Sequence, residues 1–171
     1  MILISLLIQA DSPGPAIFRQ KRIGQDGKVF TLYKFRSMVD GADQDNCHRP
    51  AERTDRRFTR VGRLLRRTRL DELPQLFNIL RGDMNFVGPR PFVPNQEYEC
   101  LQKIPYYRQR WVITPGATGW AQVNRGYNVT IEDNTDKLAY DLFYIKNMSI
   151  GLDLLILVKT AKILLLGRGS Q

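Results

Sequence analysis

Two adjacent acidic residues, Asp71 and Glu72, directly follow a stretch rich in arginine and are the residues best placed to do chemistry. Apolar residues behind them recur at helical spacing, which predicts a short helix over 72–81. Pro74 is tolerated in a first helical turn, and Gly82 is placed to end the helix. Since the positive end of a helix favours ionised carboxylates and binds phosphate, the pattern predicts an acidic pair at an anion-binding position.

The two acids cannot easily share one task, because adjacent helical residues point roughly 100° apart. One carboxylate can attack an electrophile while the other holds a metal ion. The alternative is structural: Asp71 is a good N-cap residue, and Glu72 is then a solvated acid of the first turn. The pair by itself leaves both interpretations open.

The composition indicates an anionic partner. The chain has 171 residues, 26 lysines and arginines against 17 acids, and a formal charge of +9. Such an excess is typical of proteins that bind nucleic acid, an anionic membrane surface or a phosphorylated substrate. The two cysteines and one histidine, Cys47, Cys100 and His48, cannot form a zinc site with ordinary ligand spacing, and we interpret both cysteines as reduced and structural.

A β-hairpin is predicted upstream of the acids, with strands over 16–22 and 28–37 and a turn over 24–27. Alternation along the second strand places Lys34 and Arg36 on one face, where they form a candidate phosphate clamp. The alternative is a pair of solvated strand charges.

Residues 55–69 carry seven arginines, with apolar residues at helical spacing between them. This pattern predicts a basic amphipathic helix that faces a membrane surface or another anion. A nucleic-acid-binding helix is the competing interpretation, and a merely solvated face is the third.

Three further charged residues are candidates for a site. Arg90 lies between two prolines, and this rigid backbone lowers the entropy that is lost when its guanidinium binds a phosphate with two hydrogen bonds. The alternative there is an ordinary proline-rich turn. Arg125 lies in a later turn, and Asp141 lies inside a predicted helix one turn after Lys137, where an ion pair between them is its simplest explanation.

Both ends of the chain are apolar. Residues 1–8 are apolar except for Ser5, but they are too few to cross a hydrocarbon core of roughly 30 Å. They are interpreted as a buried helix, an interfacial segment or the surviving end of a longer membrane element. Residues 150–166 combine an apolar pattern with Lys159 and Lys162, which fits an interfacial helix whose lysines reach lipid headgroups better than it fits a core helix.

Seven short motifs occur in order along the chain: SPGP at 12–15, QKRIG at 20–24, KFRSM at 34–38, LDELPQL at 70–76, VGPRP at 87–91, PGATGWAQV at 115–123 and DLFYI at 141–145. Together they resemble the bacterial sugar transferases, the monotopic polyprenyl-phosphate phosphoglycosyl transferases. The resemblance covers almost the whole chain, and the order of the motifs makes it specific. The segment over 125–128 is most similar to the exopolysaccharide-initiating branch of that family.

The resemblance implies an enzyme on the cytoplasmic face of the bacterial inner membrane that transfers a sugar-1-phosphate from a UDP-sugar to undecaprenyl phosphate. In the family's mechanism the aspartate at the position of Asp71 attacks the phosphorus next to the sugar. UMP leaves, and the lipid phosphate then displaces the phosphosugar from the enzyme. Magnesium is required, with Glu72 as its ligand, and the product starts exopolysaccharide, O-antigen or glycoconjugate synthesis.

The other candidates follow from this chemistry. A free aspartate has a pKa of about 3.9, so Asp71 needs no base to attack at neutral pH. A diphosphate must have its charge neutralised before an anion attacks it, which requires Mg²⁺ and basic residues. We expect Lys34, Arg36, Arg90 and Arg125 to supply that charge. Asp141 matches an acid of the family and is expected to orient a cation or a substrate hydroxyl.

We therefore expect one α+β domain over 1–171, with amphipathic and interfacial helices around a small β-hairpin and residues 1–10 as the remnant of a truncated re-entrant membrane helix. The expected partners are a UDP-sugar, undecaprenyl phosphate and an anionic membrane surface, and no nucleic acid; homo-oligomer formation is left open. The alternative function is a non-enzymatic basic module that binds anionic membrane or nucleic acid through 55–69. No nucleic-acid-binding motif in the sequence supports a module that binds nucleic acid.

Overall fold

The computed structural model describes residues 1–42, 55–125 and 131–166, and within these ranges it contains seven α-helices and two small sheets. The helices are α1 Ile2–Asp11, α2 Arg60–Thr68, α3 Gln75–Leu80, α4 Pro94–Lys103, α5 Trp120–Asn124, α6 Ile131–Lys146 and α7 Ile150–Leu165. The strands are β1 Ile17–Ile23, β2 Val29–Phe35, β3 Asn85–Val87 and β4 Gly116–Thr118. Helices around a short hairpin form the single α+β domain that the sequence predicted.

Strands β1 and β2 form the predicted hairpin in antiparallel register, with Ile17 opposite Phe35 and Ile23 opposite Val29. The connection is a 3₁₀ turn, Gln25–Gly27, which reverses the chain through two residues of positive φ. Strands β3 and β4 are a separate parallel pair of three residues each. The hairpin packs against α3, which brings the second strand next to the acidic pair.

The helix predicted over 72–81 is divided into a 3₁₀ turn, Leu70–Glu72, and the later helix α3. Pro74 explains the division, because it has no N–H to donate and its ring excludes the bond to the carbonyl four residues earlier. The chain uses bonds to the third residue back instead, including Leu73 N to Leu70 O at 3.2 Å. The N-cap of α3 is Pro74, so the prediction that Asp71 caps this helix is wrong.

The predicted end of that helix is confirmed. Gly82 has a φ of 80° and donates its N–H to the carbonyl of Ile79, which closes the last turn. The left-handed backbone at this point favours glycine, as the sequence indicated.

The basic helix is confirmed as α2, which begins at Arg60 and not at residue 55 as predicted. Thr59 caps it, with Oγ1 accepting from Gly62 N at 2.9 Å. Gly62 lies directly against the backbone that follows β2, since a Cβ at this position would stand 1.9 Å from the carbonyl oxygen of Ser37. Arg69 then adopts a left-handed conformation, with φ 59°, and turns the chain out of α2 into the 3₁₀ turn that holds both acids.

Buried apolar residues in the described ranges include three small clusters. In the first, Ile8 of α1 packs with Ala16, Phe35 and Leu65. The second lies between α4 and α6, and the third joins Val87 to α6 and α7.

Helices α1 and α7 each bury one residue, Ile8 and Ile156, and expose most of their other large apolar side chains. Among the helices in the described ranges, none has both the length and the apolar content that crossing a bilayer requires. The surface therefore carries a substantial apolar area on elements that adjoin the core only along one side.

Candidate active site

The acidic pair lies where α2, α3 and the hairpin meet. Asp71 is buried, with 7% of its surface exposed, and Glu72 is half-buried beside it. The left-handed turn at Arg69 and the 3₁₀ geometry after it place both acids beside β2. The two acids are adjacent in sequence, but they occupy different electrostatic environments.

Basic side chains surround the Glu72 carboxylate. Among the described residues, its Oε1 lies 3.0 Å from Nζ of Lys34, 3.5 Å from Nη2 of Arg90 and 3.8 Å from Nη1 of Arg69. Burial acts to raise the pKa of Glu72, but the three cations outweigh it and hold the pKa far below its ordinary value. Glu72 is therefore an ionised carboxylate, and its three basic neighbours form a compact region of positive charge.

The Asp71 carboxylate differs from that of Glu72 in its hydrogen bonding and in the direction of its pKa shift. Its Oδ1 is buried and has no hydrogen-bond partner among the described residues. Burial raises the pKa of Asp71 and the charge of Glu72 adds to the effect, while Lys34 and two arginines oppose it. A poorly solvated carboxylate oxygen has few interactions to break before it forms a bond, which is the property of a nucleophile rather than of a helix cap.

Lys34 reaches the acids because β2 is fastened to α3. The fully buried side chain of Asn78 accepts from Tyr33 N at 3.1 Å and donates to Thr31 O at 2.7 Å. One amide thus satisfies two backbone groups on the outer edge of β2, immediately before Lys34. The strand cannot slide along α3 without breaking both bonds, so the distance between Lys34 and Glu72 is set by backbone packing.

Arg90 reaches Glu72 from a rigid segment, as its flanking prolines indicated. Gly88 and Gly116 bring two backbones together: a Cβ on Gly116 would lie 2.1 Å from Gly88 N, and one on Gly88 would lie 2.7 Å from Thr114 O. Only glycine allows this approach. Since Arg90 follows directly, its position depends on the contact between the segments that carry β3 and β4.

Arg36 does not join Lys34 in a phosphate clamp in this structure. It is buried, and its guanidinium donates to the backbone carbonyls of Ser12 at 2.7 Å and Pro13 at 2.5 Å. These bonds hold the SPGP segment against the end of the hairpin. The predicted strand over 28–37 included both cations, but β2 ends at Phe35, so Arg36 lies just beyond it. Alternation could not show that this guanidinium binds backbone oxygens.

Arg125 lies at the end of α5 and forms a surface ion pair with Asp136 of α6. Both side chains are about half exposed. The structure thus places this predicted phosphate ligand in a surface pair next to residues 126–130, which lie outside the described ranges. Its binding of phosphate stays a prediction.

Asp141 is buried and accepts from Arg110 Nη2 at 2.9 Å. Burial raises the pKa of Asp141 to about 6, against the opposing charge of Arg110. Arg110 also donates to Glu97 Oε1 at 3.3 Å and to the hydroxyl of Tyr107 at 2.6 Å. The main ion pair of Asp141 is therefore with a residue 31 positions away, which helical spacing could not predict.

Sequence reasoning missed three residues that shape this region: Arg69, Asn78 and Arg110. Arg69 could have been found, because it lies two residues before Asp71 and directly precedes the LDELPQL motif. Asn78 and Arg110 carry no spacing signal, since their partners come from distant parts of the chain.

The available carboxylate side chains limit how Mg²⁺ can bind. The described residues contain no group of three or more His, Cys, Asp or Glu side chains that could hold a metal ion. Mg²⁺ usually uses one or two protein carboxylates together with substrate phosphates. Glu72 fits that pattern as a single carboxylate, so it is suited to an Mg²⁺ ion that arrives with a diphosphate.

Comparison with known proteins gives consistent matches. The model of the bacterial sugar transferase family matches residues 1–167. The UDP-N-acetylgalactosamine-undecaprenyl-phosphate N-acetylgalactosaminephosphotransferase of Aeromonas hydrophila is 43% identical over 171 residues, which is 100% of this chain and 40% of that protein. The UDP-glucose:undecaprenyl-phosphate glucose-1-phosphate transferase of Xanthomonas campestris pv. campestris is 46% identical over 165 residues, or 94% of this chain and 34% of that protein.

The undecaprenyl-phosphate glucose phosphotransferase of Komagataeibacter xylinus is 43% identical over 170 residues, which is 95% of this chain and 31% of that protein. The chain thus spans 31–40% of the length of these three relatives. Their names share undecaprenyl phosphate but differ in the sugar.

Proposed function

This chain belongs to the bacterial sugar transferase family, and we propose that it transfers a sugar-1-phosphate from a UDP-sugar to undecaprenyl phosphate and releases UMP. The names of the relatives support this reaction class. The observation that carries the proposal is the pairing of a buried carboxylate oxygen without a hydrogen-bond partner, on Asp71, with a neighbouring carboxylate surrounded by basic groups, on Glu72.

The proposed reaction proceeds through two displacements at phosphorus. An oxygen of ionised Asp71 forms a bond to the phosphorus that carries the sugar, and the bond from that phosphorus to the UMP oxygen breaks, with its electron pair leaving on UMP. An oxygen of undecaprenyl phosphate then attacks the same phosphorus, and the bond to Asp71 breaks to regenerate the carboxylate. Neither step requires a protein group to gain or lose a proton, because the aspartate attacks and leaves as its carboxylate.

The basic neighbours of Glu72 supply charge to both displacements. Lys34, Arg69 and Arg90 all lie within 4 Å of one carboxylate oxygen, so their positive ends are already gathered before a substrate binds. An anion attacks a diphosphate only when the negative charge of its oxygens is offset. Because these cations need little rearrangement, they favour the transition state at low reorganisation cost.

Glu72 is proposed to hold Mg²⁺ together with the substrate diphosphate. The ion supplies positive charge where negative charge develops on the phosphoryl oxygens. Glu72 suits this role because it stays ionised and because its carboxylate lies next to Asp71. The second acid is therefore proposed to bind, while the first attacks.

The protein is proposed to act on the cytoplasmic face of the inner membrane, anchored in one leaflet. Leu76, Phe77 and Leu80 of α3 are exposed, and this helix begins three residues after Glu72. The apolar surfaces of α1 and α7 and the arginines of α2 suit an anionic membrane surface. Such an orientation brings the site to the depth of a lipid phosphate group.

The proposal is tested by incubating the protein with liposomes that contain undecaprenyl phosphate and with a panel of UDP-sugars. We expect release of UMP and formation of a lipid-linked diphosphosugar with at least one sugar. Folded, membrane-bound protein that releases no UMP with any member of the panel would overturn the proposal. Salt-sensitive binding of duplex DNA by such a protein would instead favour the basic-module alternative.

A further inference from the structure

A buried ionic network lies directly behind the segment that carries Arg90. Arg110, Glu97 and Asp141 come from three different parts of the chain and are exposed by only 4%, 1% and 2%. Arg110 contacts both carboxylates, at 3.3 Å to Glu97 and 2.9 Å to Asp141. Trp111 completes the network by donating Nε1–H to Glu97 Oε2 at 3.1 Å.

The network binds the Arg90 segment on both sides of Pro91. Arg110 Nη2 donates to the backbone carbonyl of Arg90 at 2.9 Å. Glu97 Oε1 accepts from the backbone N–H of Phe92 at 3.3 Å, and the Arg110 guanidinium lies 4.7 Å from the centroid of the Phe92 ring. The backbone around Arg90 is therefore held by groups that themselves require one another.

Stability alone is a poor explanation for this arrangement. Desolvating three charged groups is costly, and apolar side chains of similar volume often replace a buried ion pair without loss of stability. A fully bonded ionic network does, however, specify one geometry, because any displacement leaves a charge unpaired. Here the geometry specified is that of the backbone next to Arg90.

We propose that Arg110, held between Glu97 and Asp141, is a positioning residue that sets the Arg90 guanidinium against Glu72 and the substrate diphosphate. This inference rests on the proposed function and extends it. Of the two roles expected for Asp141, orienting a cation or a substrate hydroxyl, this inference takes the first, with Arg110 as the cation.

The first test is Arg110→Lys, which keeps one positive charge between the two carboxylates but loses the planar fork that also reaches Arg90 O. We expect a fall in kcat of about 10- to 100-fold, because a displacement near 1 Å in a site is enough for such a loss. The matched control is Ile8→Val. Ile8 is buried in a separate cluster with Ala16, Phe35 and Leu65, so shortening it should lower Tm and leave kcat within about twofold.

The decisive test is a double-mutant cycle with Arg90→Lys. If Arg110 acts through Arg90, adding Arg110→Lys to Arg90→Lys lowers kcat by less than about twofold further. If the two losses multiply, Arg110 acts independently and the inference is overturned. Should Arg110→Lys fail to fold, Glu97→Gln takes its place in the cycle, since it keeps an acceptor for Phe92 N but removes one charge that holds Arg110.

A binding measurement separates this inference from the proposed function. Inorganic pyrophosphate is titrated into wild-type protein and the same variants by calorimetry, which needs no turnover. We expect Arg110→Lys to bind pyrophosphate more weakly than wild type does. The double variant should bind it no more weakly than Arg90→Lys alone. Wild-type protein that binds pyrophosphate with this pattern but releases no UMP would contradict the proposed function alone, and equal affinity in wild type and Arg110→Lys would overturn the positioning role.

Discussion

Nζ of Lys34 lies 3.0 Å from Oε1 of Glu72, and this ion pair joins the β-hairpin to the turn that carries both acids. Burial raises the pKa of the adjacent Asp71, and Lys34 is the strongest of the charges that oppose this effect. One ammonium group thus helps to keep Glu72 ionised and limits the cost of ionising Asp71. The two carboxylates can have separate roles because one basic residue is close to both.

Asp71→Asn should give a folded protein with at least about 10³-fold lower activity, because an amide is a poor nucleophile. Wild-type protein mixed with its UDP-sugar, without lipid acceptor, should gain the mass of one phosphosugar on the peptide that contains Asp71. Mass spectrometry of intact and digested protein checks both points. An adduct that persists in Asp71→Asn, or that maps to another peptide, would show that the assignment is wrong.

The same variant should be more stable than wild type near neutral pH. The pKa of Asp71 is higher in the folded protein than in the unfolded chain, where it is near 3.8. The protonated side chain therefore contributes fully to folding stability below pH 3.8, and this contribution is lost as the pH rises through the folded-state pKa. Asparagine has no such loss, so the Tm difference should be positive at pH 7 and shrink on acidification. In a chain of this size, an increase of about 1 kcal/mol in the free energy of unfolding raises Tm by roughly 2–4 °C. A lower Tm for Asp71→Asn than for wild type at pH 7 would contradict the prediction.

Arg66→Gln should move the acid limb of the kcat/KM profile to higher pH. The positive charge of Arg66 lowers the pKa of Asp71, so its removal makes the nucleophile harder to ionise. The exposed Arg63 of α2 offers the matched control, as Arg63→Gln removes the same charge from a side chain that is not among the groups shifting Asp71. Equal shifts in both variants would indicate a general charge effect and not a local one.

Chelation of divalent cations should abolish UMP release, and added Mg²⁺ should restore it. Glu72→Gln should raise the Mg²⁺ concentration for half-maximal rate by about tenfold or more, because the proposed ligand loses its charge. Glu99→Gln is the control, since Glu99 is exposed and paired with Lys103 on α4. Full activity in the presence of chelator would exclude the metal role of Glu72.

Leu80→Glu should weaken flotation with anionic liposomes and leave Tm unchanged. Leu80 is 84% exposed at the end of α3, so it contributes little to the core but is available to lipid. Burying a leucine is worth about 1.5–3 kcal/mol, which predicts a loss of about tenfold or more in membrane partitioning. Gln102→Glu adds the same charge at an exposed position of α4 and should float normally. Recovery of the wild type in the lipid-free fraction at low salt would count against membrane binding.

Features that depend on neighbouring residues could be predicted from the amino-acid sequence. The hairpin, the basic helix and the helix end at Gly82 all follow local rules of alternation, periodicity and backbone conformation. The motifs were sufficient to single out Asp71, Glu72, Lys34 and Arg90, which the fold brings into one region. The pattern predicts that Pro74 is tolerated in the first turn of a helix. In the structure its missing N–H instead places the acids in a 3₁₀ turn before α3.

The pairing of charged residues, by contrast, depends on how distant parts of the chain pack together. Arg36 binds carbonyls of the SPGP segment, and Asp141 binds Arg110 across 31 positions of the chain. Periodicity states which face of its own element a side chain occupies, but the partner on that face comes from elsewhere in the chain. Burial restricts the choice of partner further, because a buried charge is costly unless it pairs with an opposite charge or a polar group. The fold determines which such groups are within reach.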